Sequence, residues 1–163
     1  SKMYPAYKLL SSGVNALCRL RKAVNAFNLV LKCSSPLELL NNPLLSDARS
    51  IIQDEKKRIL KECIQELVHP SLLLVMFESD YIMTGLIAST LSDGYPTVVA
   101  VNLKDRTFSA RGDISLFIKE GLSKMNGVRV GGHPGFIGGS FEKEDELVEG
   151  IHKLGEVLSK CMK

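Results

Sequence analysis

Tryptophan is absent from this chain, and aromatic residues make up only 6% of it. Nor do aromatics interleave with basic residues along the sequence, so a platform on which successive bases stack is poorly supported. No stretch approaches the ~18 apolar residues that a membrane span needs, and no membrane partner is expected. No signal-peptide pattern is seen at the start. The four cysteines, Cys18, Cys33, Cys63 and Cys161, make no Cys-x-x-Cys pair, which excludes the common zinc and redox motifs. Each lies on an apolar or helical pattern and reads as a buried free thiol, which suits a reducing cytoplasm. Walker-type phosphate loops and Gly-x-Ser-x-Gly elbows are both missing. The aspartates at 47, 54, 80, 93, 105, 113 and 145 are scattered among turns, caps and solvated faces, with no Asp-x-Asp pair. Of the three histidines, His69 precedes Pro70 at a helix end and His152 lies on the polar side of the last helix, so both read as structural. Two metal ions about 4 Å apart need clustered carboxylates and histidines. No metal site, no cofactor and no hydrolysis by this chain alone are expected.

What is present is ordinary in bulk. A chain of 163 residues corresponds to one domain, or one domain with a helical appendage. Its 45% hydrophobic and 24% charged residues suit a soluble globular protein with a real core. The formal net charge of +3 permits nucleic-acid binding without arguing for it. Ser1-Lys2-Met3 fits either a native start that lost its methionine or a cloning remnant.

Periodicity divides the chain. Val14, Leu17, Val24, Phe27 and Leu31 recur at helical spacing and predict one helix from Val14 to Cys33. Ser34, Ser35 and Pro36 stop it, with Ser35 a candidate N-cap for a short helix ending near Asn41-Asn42. Asn42-Pro43 reads as a turn. A second long helix is expected from Asp47 to Val68, ended by His69-Pro70. The pattern then changes. Ser71 to Phe77 is a continuous apolar run of strand length, Ile82 to Leu91 a helix, and Thr97 to Val101 a β-branched strand. Arg106 to Arg111 is a third strand, paired across the Lys104-Asp105 turn. Ile114 to Met125 is an amphipathic helix, Gly127 to Val130 a fourth strand, and Gly139 to Phe141 a fifth. The last helix runs from Glu144 to Met162; its acidic start, with Lys160 and Lys163 at its end, suits the helix dipole. The expected fold class is α/β: a mixed sheet of about five strands flanked by helices, preceded by a helical N-terminal segment. The expected division is 1–70 helical and 71–163 α/β.

The stretch Val128-Arg129-Val130-Gly131-Gly132-His133-Pro134-Gly135-Phe136-Ile137-Gly138-Gly139-Ser140 is the most informative. Glycines at a strand end let another backbone or a ligand come close, and exposed amides in such a turn attract anions. His133 could donate to a phosphate oxygen. The alternative is a glycine-rich hairpin with His133 as a turn residue. Gly-Gly-His, four residues, then Gly-Gly resembles the signature of the DHH-associated domain, the C-terminal domain of DHH-family phosphoesterases and RecJ-type nucleases. Phe136 and Ile137 stand where that family usually has two alanines, crowding the turn. Thr84-Gly85-Leu86-Ile87-Ala88-Ser89 and Tyr95-Pro96-Thr97-Val98-Val99-Ala100-Val101 are similar to the helix and strand that open the domain. Ser109-Ala110-Arg111 resembles its Ser-x-Arg-Ser element, with Gly112 in place of the last serine. Val14-Asn15-Ala16-Leu17-Cys18-Arg19-Leu20 resembles a stretch of the RecJ connector helix, with Gly13 and Cys18 in place of the family's arginine and glycine. The family's Asp-His-His triplet is not in this chain.

The resemblance implies that Arg111 lies near Gly131, Gly132 and His133, and that Ser109, Gly138 and Gly139 belong to the same phosphate-contacting groove. A guanidinium can grip a phosphate at two points. The resemblance also makes Asn15 and Arg19 cleft-facing candidates. The leading expectation is a non-catalytic RecJ-like module that binds single-stranded DNA or RNA through backbone phosphates, with weak sequence preference and strong salt dependence. The first alternative is a scaffold like the catalytically inactive RecJ relatives of archaeal and eukaryotic replisomes, docking on a protein such as GINS. An exposed apolar face on the Val14 or Asp47 helix would support it. The second is the C-terminal part of a complete DHH nuclease.

Overall fold

A computed structural model describes residues 3–161. Ser1, Lys2, Met162 and Lys163, and with them the expected end of the last helix, lie outside the described residues. The described residues form two compact units, 3–58 with 80–82, and 59–79 with 83–161.

The first unit holds α1 (Met3–Arg19), α2 (Ala23–Lys32), α3 (Pro36–Leu40) and most of α4 (Pro43–Glu62). The single helix expected from Val14 to Cys33 is therefore two helices. The break follows from the backbone at Arg21, which has a φ of 64°. Its N–H donates to Cys18 O, and the Lys22 N–H donates to Leu17 O. That pair of bonds is a Schellman closure, which usually has glycine at the left-handed position. With arginine there, at about 1–2 kcal/mol of strain, the sequence carries no stop signal. Arg21 Nε donates to Asp80 O at 2.8 Å, and the Ile82 N–H donates to Arg19 O at 2.9 Å. These bonds hold residues 80–82 within the first unit. Ser35 occupies the N-cap position of α3 as expected, but its side chain makes no capping hydrogen bond. The Ser34 hydroxyl and then its N–H donate to the Glu38 carboxylate, which holds that carboxyl below its ordinary value. Gly13 on α1 is a packing position: a Cβ there would lie 2.9 Å from Leu45 Cβ on α4.

The second unit is built on a six-stranded mixed sheet. Its strands are β1 (Ile64–His69), β2 (Leu72–Phe77), β3 (Thr97–Asn102), β4 (Thr107–Gly112), β5 (Val128–His133) and β6 (Phe136–Phe141), in the order β1-β2-β3-β4-β6-β5. Only β2 and β3 run parallel. β1 corrects the expectation of a helix reaching Val68. The apolar run of β2 needs a pairing partner on its free edge, and Ile64 to His69 supply it. Ile64 and Leu67, which seemed to extend a helical apolar stripe, are exposed on this edge strand. His69 is buried, and its Nδ1 accepts the Ser71 N–H at 3.0 Å, closing the β1–β2 turn.

Helices cover both faces of the sheet. On one face α6 (Ser115–Ser123) and α7 (Glu144–Cys161) pack over Leu72, Leu74, Val99, Val101, Phe108 and Ile137. Each such apolar side chain, fully buried, contributes about 1.5–3 kcal/mol of transfer free energy. His152 on α7 meets Glu66 on β1 at 2.7 Å. On the other face α5 (Thr84–Leu91) lies over β3 and β4. Because side chains alternate along a strand, β5 and β6 send one set of residues toward α6 and α7. The other set lies on the α5 side.

Candidate functional site

The motif glycines lie on β5 and β6, which form one antiparallel hairpin rather than an open anion-binding turn. Its tip is the sequence His133-Pro134-Gly135-Phe136. The register aligns the chemistry. Arg111 on β4 is paired with Phe136 on β6, and Phe136 with His133 on β5. These three side chains form a row across three strands. The Arg111 guanidinium carbon lies over the Phe136 ring, 5.0 Å from its centroid, and the His133 ring lies 5.4 Å from it, tilted by 47°. The adjacency of Arg111 and His133 implied by the resemblance is present in the fold, with Phe136 between them.

The next row on the same face is Ser109, Gly138 and Gly131, and the one after it Thr107, Ser140 and Arg129. Period two thus separates the two glycine pairs. Gly131 and Gly138 are opposite each other on the α5 side, beyond the strands that α5 covers. A Cβ at Gly131 would meet no other atom within 4 Å. Neither packing nor a positive φ requires glycine there, so the bare backbone is open to a ligand. Gly132 and Gly139 are on the other face and serve the hairpin itself. Gly132 has a φ of 114°, and its Cβ would lie 2.2 Å from Phe136 O. A Cβ on Gly139 would lie 1.9 Å from Arg129 O. Those two glycines are structural positions, not parts of the open strip.

Arg111 is held in place. Its Nη1 donates to Ala110 O at 3.0 Å and to Ile137 O at 3.1 Å. A Cβ on Gly85 of α5 would lie 2.9 Å from its Nη2, so the glycine makes room for the guanidinium. Nη1 is committed to carbonyls, and the two-point phosphate grip expected of Arg111 is replaced by a positioned positive charge. Ser109 is buried, and its Oγ lies 2.8 Å from Thr84 Oγ1. That bond ties α5 to β4, so Ser109 supports the strip from beneath. Lys119 on α6 donates to Gly132 O at 2.9 Å, which fixes the outer strand. Beside the row is a recess of about 500 Å³ lined by Ser89, Ser92, Arg111, Asp113, Gly135 and Phe136.

Asn15 and Arg19 belong to the first unit. Asn15 is exposed on α1 and lines a groove of about 750 Å³ with Tyr7, Leu10, Val30 and Pro36. Arg19 donates to Ile82 O at 3.2 Å, and burial lowers its pKa from the ordinary arginine value.

Sequence reasoning missed three contributors. Arg129 stands two residues before Gly131 and four before His133, on the same exposed face; the alternation Arg-x-Gly-x-His was the available signal. Gly85 was seen only as part of a helix. Phe136 was expected to crowd the turn together with Ile137. Instead Ile137 is buried in the core while Phe136 is 56% exposed. Basic and aromatic groups that are separate in sequence are interleaved in space.

The sheet order, the covering helices and the glycine hairpin define a RecJ-like fold, as the Gly-Gly-His motif led one to expect. The structure of RecJ from Thermus thermophilus in complex with Mg2+ matches 91% of this chain with a TM-score of 0.69 and 17% sequence identity. The structure of the same protein with Mn2+ matches 91% of the chain with a TM-score of 0.66 and 17% identity. This chain spans about a quarter of the RecJ chain, 24% and 23% in the two structures. No family model and no curated protein sequence matches it. At this identity the likeness is one of fold. Among the described residues no three His, Cys, Asp or Glu side chains gather to hold a metal ion.

Proposed function

We propose that the chain is a non-catalytic module that binds single-stranded DNA or RNA through its backbone phosphates, in replication or repair. The observation that carries this reading is the row Arg111–Phe136–His133 beside the bare backbone of Gly131 and Gly138. Arg111 and Arg129 supply positive charge, His133 a donor, and the glycines a floor without side chains. Phosphate contacts of this kind orient a strand without reading its sequence. The resemblance of the Gly-Gly-His motif to nuclease accessory domains supports the same reading.

The test is fluorescence anisotropy of a labelled single-stranded oligomer with wild type and the Arg111→Ala/His133→Ala double variant, over a salt series. Wild type should bind and weaken with salt. The double variant should lose at least about 10-fold in affinity, as expected for charge-assisted hydrogen bonds worth roughly 1.5–3 kcal/mol. Equal binding by both proteins would remove the strip from the function.

A second reading has its own support. Val24, Phe27 and Leu31 of α2 are 72%, 64% and 67% exposed and recur at helical spacing. An exposed apolar stripe of that kind fits docking on a protein partner, with GINS the replisome candidate. Analytical size exclusion of the chain with GINS, against a Phe27→Glu variant, separates this role from nucleic-acid binding.

A further inference from the structure

We propose that the recess beside Phe136 receives one unstacked nucleobase, whose ring stacks on the exposed phenyl face. This rests on the reading of the adjoining strip as a phosphate surface and adds to it a contact that phosphates alone do not make.

Four observations converge. Phe136 is 56% exposed, although its neighbour Ile137 shows that this strand can bury an apolar side chain. The ring is flanked by the Arg111 guanidinium at 5.0 Å and the His133 ring at 5.4 Å. The Arg111 contact over the ring fixes its orientation, and the proposed base takes the ring surface that Arg111 leaves exposed. The recess next to it measures about 500 Å³, within the range of pockets that take small organic groups, roughly 300–1,000 Å³. Its lining also selects. Asp113 repels a phosphate but accepts a hydrogen bond from a base N–H; the Ser89 hydroxyl can donate or accept, and the Ser92 hydroxyl, which donates to Ser89 O at 2.8 Å, can still accept.

The two sides of the Arg111–Phe136–His133 row thereby differ. The glycine strip, with Arg129, suits the anionic backbone. The recess, with its carboxylate, hydroxyls and aromatic wall, suits an uncharged ring with polar edges. A base paired in a duplex cannot enter, because its faces are stacked and its edge is bonded. One platform accommodates one base, which agrees with the low aromatic content of the chain.

The experiment compares two single-stranded 12-mers with the same phosphates, one with normal bases and one wholly abasic. Wild type should bind the abasic strand about 5- to 150-fold more weakly, the range that stacking of one base provides. Phe136→Ala should lose the same factor on the normal strand and no longer distinguish the two. Its salt dependence should stay unchanged, because stacking releases no counterions. Phe136→Tyr should restore binding. If wild type binds both strands equally, the base recess is wrong and the phosphate reading stands. If wild type binds neither strand at low salt, the phosphate reading fails as well. Should Phe136→Ala fail to fold, the comparison of strands on wild type still decides the matter.

Discussion

At the residue scale, Gly85 and Gly131 separate function from folding. Gly85 is helical, and alanine there adds about 1 kcal/mol of helix propensity. Its Cβ would lie 2.9 Å from Arg111 Nη2, and relieving that contact moves the guanidinium off the carbonyls that hold it. Gly85→Ala should therefore leave the urea midpoint nearly unchanged, the gain in propensity offsetting the weakened hydrogen bonds, while weakening oligonucleotide binding several-fold. An unchanged affinity would mean that Arg111 contributes nothing to the site. Gly131 and Gly132 form a matched pair. Alanine at 131 meets no atom within 4 Å, while alanine at 132 meets the Phe136 carbonyl with φ at 114°. Gly131→Ala should change stability by less than about 0.5 kcal/mol, yet reduce binding. Gly132→Ala should cost about 1–3 kcal/mol, as a strained backbone position does. Thermal melts of the two variants, each paired with an anisotropy titration, test the contrast.

At the element scale, the helices on the core face are seated by buried Ile118, Leu122, Leu147 and Ile151 together with close approach at two glycines. Gly155 of α7 is against Val68 of β1, where a Cβ would lie 2.4 Å from Val68 Cγ1 and 3.1 Å from Val68 O. Gly121 of α6 makes a similar allowance for Leu154 of α7. α7 thus seats on the edge strand through a missing side chain. Gly155→Leu should destabilise the sheet by about 1–3 kcal/mol, the usual cost of overpacking. Equilibrium urea unfolding of the variant reads this directly; a stable variant would show that α7 can shift along β1 without loss. β5 is an edge strand, and its exposed glycines make a poor template for pairing with another chain. Lys119 on α6 bonds to its Gly132 carbonyl, which occupies part of that edge.

At the scale of the whole molecule, the proposed strand contacts of Arg111 and Arg129 predict a definite salt dependence. Each phosphate neutralised on a single strand contributes about −0.7 to the slope of log K against log salt. Two contacts give a slope near −1.4, or roughly a 7-fold loss between 50 and 200 mM salt. A slope several times steeper would place further cations in the interface. Among the described residues no helix is long and apolar enough to cross a membrane.

Much of this was legible in the sequence, because the relevant signals are local. The buried run of β2, the β-branched β3, the hairpin to β4 and the amphipathic α6 and α7 follow from periodicity and turn residues. The Gly-Gly-His motif, with its companions, pointed to the RecJ-like fold and to Arg111 and His133 together. Tertiary structure decided what periodicity cannot carry. A left-handed arginine, not a glycine or proline, splits α1 from α2. An edge strand replaces the end of a helix because β2 needed a partner. Register, which depends on pairing across strands distant in sequence, assigned Gly131 and Gly138 to the open face and Gly132 and Gly139 to the other. The same register set Phe136 between Arg111 and His133. One chain position more or less would have buried it, since each step along a strand reverses the face.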